Sequence, residues 1–202
     1  MALLYPGLAL AQSASVEEIL ADLAKSRAAR GIPESPLSLI EFSDFQCSFC
    51  RKFWNDTLPL IDAKYIQPGR VKFVYRHFAI LGKASTAAAE ASECASEQER
   101  FWPYHDKLFS NHGALAFTQA KLKEYARELK LKEKVFDQCL ESRKYLKKIE
   151  SDTAVGAMLG VRGTPAFFLN NQLIVGAQPF GVFDTAIRDA LAKARRPAKK
   201  QP

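Results

Sequence analysis

Cysteine and histidine are both scarce, with four Cys and three His in 202 residues. Structural zinc needs about four ligands, and no second Cys-x-x-Cys or closely spaced His pair accompanies Cys47 and Cys50, so no zinc set is expected. Long apolar runs are missing as well. Apart from a short apolar stretch over 2–11, nothing approaches the roughly 18 residues of a membrane-spanning helix. Internal repeats and low-complexity core segments are also lacking. What remains is ordinary globular composition, 48% hydrophobic and 25% charged, which argues against extended disorder and suits one domain or one domain with a large insertion.

The formal charge of +7 is no mark of a nucleic-acid surface. Lys193, Arg195, Arg196, Lys199 and Lys200 place five basic residues in the last ten. "AKARRPAKKQP" therefore reads as a solvated basic tail, 193–202, and no nucleic-acid partner is expected. At the other end, "MALLYPGLALAQSAS" closes its apolar part on Ala9-Leu10-Ala11, similar to the cleavage site of a secretory signal. It has no basic residue ahead of it and is shorter than the roughly 15 to 30 residues of a full signal. Residues 1–14 are read as the remainder of such a signal or as an unstructured segment.

"SVEEILADLAKSRAARG" sets Ser15 and Glu18 at capping-box spacing, puts Val16, Ile19, Leu20 and Leu23 on one face, and stops at Gly31, which predicts a helix over 15–31. "PLSLIEF" is then a short buried strand. "SFCRKFWNDTLPLIDAKY" reads as a helix that begins at the cysteines and is interrupted near Pro59. "RVKFVYRHF" follows as a second strand, parallel to the first by the rules of a β-α-β unit. From 84 to 159 the sequence is rich in Ala, Leu, Lys and Glu with helical spacing and no strand signal, so a helical domain is inserted into an α/β frame. The frame resumes over 160–192: "AFFL" and "LIV" flank a tight turn at Asn170-Asn171, and a last helix carries Phe180, Phe183, Ile187 and Leu191 on one side. The fold class is α/β, with a frame of 36–83 and 160–192.

Cys47-Ser48-Phe49-Cys50 follows the first frame strand directly. A thiol attacks as its thiolate, and a cysteine in the first turn of a helix gains from unpaired N–H groups and the positive dipole end. Cys47 holds that position. Cys50, one turn on, is placed to close a disulfide with it or to release a mixed disulfide. An inert structural bond is the competing reading. Period-two alternation puts Glu41 on the face of Leu37 and Leu39, predicting a carboxylate in an apolar setting with a raised pKa; a solvated acid at a strand end is the alternative.

Taken together, "IEFSDFQCSFC", "AAAEASECASEQERFWPYHDKLF" and "GVRGTPAFFLNNQLIVGAQPF" resemble the DsbA-like branch of the thioredoxin superfamily over nearly everything from Pro36 to Leu191. The resemblance implies a thioredoxin fold with an inserted helical domain, Cys47 as the exposed nucleophile and Cys50 as the resolving thiol. It implies a cis bond before Pro165, with Thr164 offering backbone groups to an extended substrate, where the sequence alone also allows a trans proline opening an edge strand. It gives Glu41, six positions before Cys47, a part in moving the proton of the buried thiol. In the oxidising compartment it implies, Cys94 and Cys139 are expected to form a structural disulfide rather than a second redox pair or two free thiols.

The implied activity is extracytoplasmic thiol-disulfide exchange that introduces disulfides into unfolded or reduced secreted proteins, with a membrane redox partner reoxidising the dithiol. A periplasmic or other extracytoplasmic location, free or membrane-anchored, goes with it. No organic cofactor or metal is required. Oxidases of this kind often carry His between the cysteines, and Ser48-Phe49 stands here instead. That difference predicts a reduction potential between about −120 and −270 mV. A reductase or isomerase of the same fold is the nearest alternative. Isomerases add a dimerisation domain, for which the roughly 35 residues before the first frame strand leave little room, so a monomer is expected. A client-binding chaperone module with purely structural thiols is the alternative of another class. His77, His105 and His112 are left outside the catalytic set.

Overall fold

The computed structural model of the chain describes residues 14–113 and 115–194. The apolar segment 2–11 and the basic residues from 195 onward lie outside the described residues. Helix α1 (Val16–Leu23) opens with the predicted capping box: the Ser15 hydroxyl accepts from the Glu18 N–H while the Glu18 carboxylate accepts from the Ser15 N–H. The helix is shorter than the expected 15–31. Beyond Leu23 the chain is claimed by its neighbours, since the Tyr75 N–H donates to the Ala28 carbonyl and the Trp102 indole N–H to the Ala29 carbonyl. Ala29–Arg30 become β1, an edge strand.

Strand β2 (Leu37–Ser43) leads into α2 (Ser48–Lys52), and β3 (Val71–His77) returns parallel to β2, with Leu37 opposite Val71 and Ser43 opposite His77. The crossover is not interrupted at Pro59. From α2 it passes through a π turn (Phe53–Thr57) into α3 (Leu58–Ile61) and a second π turn (Asp62–Ile66). Pro59 lies in the first turn of α3, and just ahead of it the Leu58 N–H reaches back five residues to the Phe53 carbonyl. That wider turn accommodates a residue with no N–H to give and a ring that would crowd a regular helix.

After β3 come α4 (Lys83–Ser96), α5 (Phe101–Ser110), α6 (Gln119–Glu128), α7 (Glu133–Glu141) and α8 (Leu146–Met158). Strands β4 (Ala166–Leu169) and β5 (Gln172–Val175) then form a hairpin whose turn residue Asn170 has φ 50°, a left-handed position that Asn tolerates. Helix α9 (Phe180–Ala194) completes the chain. The sheet order is β1-β3-β2-β4-β5, with β1, β4 and β5 antiparallel to their neighbours. This is the thioredoxin arrangement with helices inserted between β3 and β4.

Alternation along β2 divides the core. Leu37 and Leu39 pack with Phe53, Phe73, Phe167 and Phe183 on one face, whereas Ile40 and Phe42 pack with Val74, Phe78 and Phe168 on the other. Helix α8 covers this second face at close range. A Cβ on its Gly156 would lie 2.8 Å from a Phe78 ring carbon and 2.9 Å from one of Phe42, so only glycine lets the helix approach. The last helix of the insertion is thus also a layer of the frame, and the expected boundary at 159 runs along packed residues. A third cluster joins the inserted helices to the cysteine loop, bringing Cys47, Cys50, Phe45 and Tyr75 together with Tyr104, Phe109 and Phe117.

Candidate active site

The loop between β2 and α2 is held by a residue that sequence reasoning passed over. Asp44 is buried. One of its carboxylate oxygens accepts from the Gln46 N–H at 2.8 Å, and the other accepts from the Ile80 and Leu81 N–H groups, both at 3.0 Å. One carboxylate therefore fixes the approach to Cys47 and ties it to the loop after β3. An Asp two residues before the N–H it accepts is a local turn pattern that could have drawn notice in "SDFQC".

Cys47 is the N-cap of α2, with extended backbone at φ −75° and ψ 119°. It is less open than the expected exposed nucleophile: only 8% of Cys47 is accessible, and Cys50 is fully buried. The reason is the third core cluster, which brings Phe45 and Phe117 up to the cysteine loop. What opening remains is a cavity of about 310 Å³ with Cys47 in its wall, Phe45 and Phe117 beneath, and Gln46, Ser48, Arg51 and His112 around it. Across the sulfur from the helix, the Cys47 thiol donates to the Thr164 carbonyl at 3.3 Å, and the Thr164-Pro165 bond is cis.

The two sulfurs are electrostatically unequal. A hydrogen bond from Cys50 pulls the Cys47 pKa down to about 6, helped by Thr164 and by the Cys50 and Phe49 backbone N–H groups and opposed by burial. Burial pushes Cys50 well above the ordinary thiol value, and its hydrogen bond to Cys47 and the nearby Glu41 charge add to that. At neutral pH the arrangement holds one thiolate at the cavity and one thiol behind it.

Glu41 is buried on the Leu37 and Leu39 face, and burial raises its pKa to about 8. Among the described residues, its Oε1, the Ser43 hydroxyl and the Tyr75 hydroxyl are all buried without a hydrogen-bond partner. Tyr75 stands opposite Glu41 across the β2–β3 pair, and Ser43 lies two residues along the same face. Sequence reasoning missed both, because each looks like an ordinary strand residue until the register is known. Cys94 and Cys139 are disulfide-bonded, S–S 2.04 Å, linking α4 to α7. His77 is buried with Nε2 3.0 Å from Glu93 Oε1, and His105 is buried with Nδ1 2.9 Å from Asp106 Oδ1. Burial lowers the His105 pKa. His112 alone borders the cavity. Among the described residues no group of three or more His, Cys, Asp or Glu side chains is placed to hold a metal ion, and no helix is long and apolar enough to cross a membrane.

A dithiol at the start of a helix, facing a cis-proline loop on a thioredoxin frame, defines a class of redox protein. The family model described as thioredoxin matches residues 24–189, and the chain belongs to that family. Within it the likeness is to the DsbA-like proteins. Disulfide bond formation protein D of Bacillus subtilis is 28% identical over 156 residues, 74% of this chain and 70% of that protein. The crystal structure of alpha-DsbA1 of Wolbachia pipientis superposes with a TM-score of 0.73 at 27% identity, covering 83% of this chain and 92% of that one. A Na(+)/H(+) antiporter NhaA 3 of Salinispora tropica is 32% identical over 168 residues, 82% of this chain, but the chain spans only 25% of that protein's length.

Proposed function

We propose that this protein is a thiol-disulfide oxidoreductase that passes a disulfide to reduced secreted proteins outside the cytoplasm. The observation that carries this reading is the inequality of the two sulfurs. Cys47, near pKa 6 and bordering a cavity, is the better leaving group and the reachable sulfur, while Cys50 is buried and held as a thiol.

In the oxidised protein a client thiolate attacks the Cys47 sulfur. The Cys47–Cys50 bond breaks, its electron pair leaves on Cys50, and a mixed disulfide forms between Cys47 and the client. Cys50 takes up a proton, which Glu41 can supply because its pKa near 8 keeps it protonated at neutral pH. A second client thiolate then attacks the client's own sulfur and expels Cys47 as a stabilised thiolate. The client loses two electrons and the protein gains them. Thr164 and Pro165 border the reacting sulfur and offer backbone to an extended client segment. The buried Cys94–Cys139 bond supports an oxidising compartment, where such bonds persist.

Reoxidation falls to a membrane redox partner, and the working unit is a monomer. The absence of an imidazole between the cysteines, with Ser48-Phe49 there instead, favours a potential between about −120 and −270 mV. Two measurements test the reading: oxidative refolding of a reduced protein beside insulin reduction, and equilibration of the dithiol with glutathione. Unchanged client oxidation by Cys47→Ala would exclude the enzymatic reading and leave a client-binding module.

A further inference from the structure

Any molecule joined to Cys47 through sulfur must lie over the cavity that Cys47 walls. The aromatic lining of that cavity is packed into the core: Phe45 and Phe117 are buried, and the Phe45 ring stacks on Tyr75 at 5.2 Å and packs against Phe109 at 4.9 Å. Its surroundings carry a cation, Arg51, that forms no ion pair among the described residues. Arg51 is one helical turn after Cys47, its N–H bonded to the Cys47 carbonyl at 3.0 Å, which sets both side chains on one side of the helix. Lys52, by contrast, is engaged by Asp56 at 2.6 Å.

The path of a client follows from its backbone. A segment extended along the Thr164 loop alternates its side chains, so residues two positions from its cysteine point to the same side as the reacting sulfur, about 7 Å away. Cys47 belongs both to the Thr164 contact and to the wall of the cavity lined by Phe45 and Phe117, so a segment joined to it has that cavity beside it. We infer that the cavity selects clients carrying a large apolar side chain two positions from the reactive cysteine, with a carboxylate beside it that Arg51 pairs with. Burial of the apolar group supplies affinity, and the guanidinium supplies the sign of charge that is preferred. The inference rests on Cys47 being the sulfur that clients attack, and it specifies which clients attack fastest.

Reduced peptides with two cysteines test it, with the oxidised protein and its Arg51→Glu variant as reactants. The peptides differ only in Phe or Ser two positions from one cysteine and in Glu or Lys beside that residue. The expected result is that the Phe/Glu peptide reduces the protein at least about tenfold faster than the Ser/Lys peptide at low salt, with a smaller margin at high salt. The ratio of Glu-peptide to Lys-peptide rates should fall below one in Arg51→Glu; being a ratio, it is insensitive to the fraction of variant that folds. Equal rates for all peptides would overturn the inference and leave the exchange reading standing. An apolar preference with a Glu/Lys ratio that Arg51→Glu does not change would overturn the role of Arg51. Failure of the protein to react with any peptide or with dithiothreitol would overturn the exchange reading itself.

Discussion

The Cys47 thiol and the Thr164 carbonyl meet at 3.3 Å although 117 positions separate them in the chain. Thr164 serves both protonation states of the sulfur: its carbonyl accepts from the thiol, and its side chain favours the thiolate. Cys50 is the larger contributor to the thiolate, so Thr164 tunes a value that the dithiol sets. Thr164→Val keeps the carbonyl and removes the hydroxyl. The midpoint of alkylation against pH should move up from about 6 toward the ordinary thiol range. Because the folded pKa of Cys47 is depressed, the thiolate stabilises the reduced protein fully above the unfolded thiol pKa, and that stabilisation is lost as pH falls through about 6. The variant should flatten this dependence in thermal unfolding of the reduced form.

Cys50→Ala separates the two thiol roles. It removes the group that contributes most to the Cys47 thiolate, so Cys47 should titrate higher and alkylate more slowly at pH 6 to 7. It also removes the thiol that would release a mixed disulfide by attacking the Cys47 sulfur. Adducts of the variant with a client activated as a mixed disulfide should persist on non-reducing gels. Rapid loss of those adducts without added thiol would show that Cys50 is not the resolving group.

Glu41→Gln tests the buried carboxyl. Its folded pKa is raised to about 8 from an ordinary 4.5, so the fold favours the protonated form. The stability this confers is complete below pH 4.5 and is lost as pH rises through about 8. At pH 7 the wild type therefore carries a penalty on the order of 3 kcal/mol, which a neutral amide escapes. The variant should match the wild type in denaturant melts at pH 4 and exceed it at pH 7 to 8. Client oxidation should slow at the same time, since Gln has no proton to give Cys50.

The legible and illegible parts of this protein differ in physical kind. The Ser15–Glu18 cap, the Asn170-Asn171 hairpin and the placement of Glu41 follow from spacing within a few residues, and the parallel β2–β3 pair follows from the handed strand-helix-strand connection. The end of α1 is not legible in the sequence because the Ala28 and Ala29 carbonyls accept from Tyr75 and Trp102, distant partners that propensity does not register. Pro59 reads as a helix breaker because a π turn has no signature in composition. Ser43 and Tyr75 gain meaning only from strand register. The covering of Cys47 depends on Phe117, which is brought across from the turn between α5 and α6.

The Cys94–Cys139 bond offers the cleanest separation of scaffold from chemistry. It closes a loop of 45 positions between α4 and α7, and the loop-entropy relation assigns such a crosslink about 4 kcal/mol. Both residues sit in the same core cluster as Cys47 and Cys50, yet neither is among the groups that set the Cys47 pKa. The double variant Cys94→Ala/Cys139→Ala should therefore unfold at lower denaturant concentration and at a temperature lower by about 10 °C for a chain of this size. Its Cys47 alkylation midpoint should stay where the wild type has it. A shifted midpoint would mean that the inserted helices adjust the dithiol as well as cover it, and a melt unchanged from the wild type would mean that apolar packing of α4 against α7 already holds them without the crosslink.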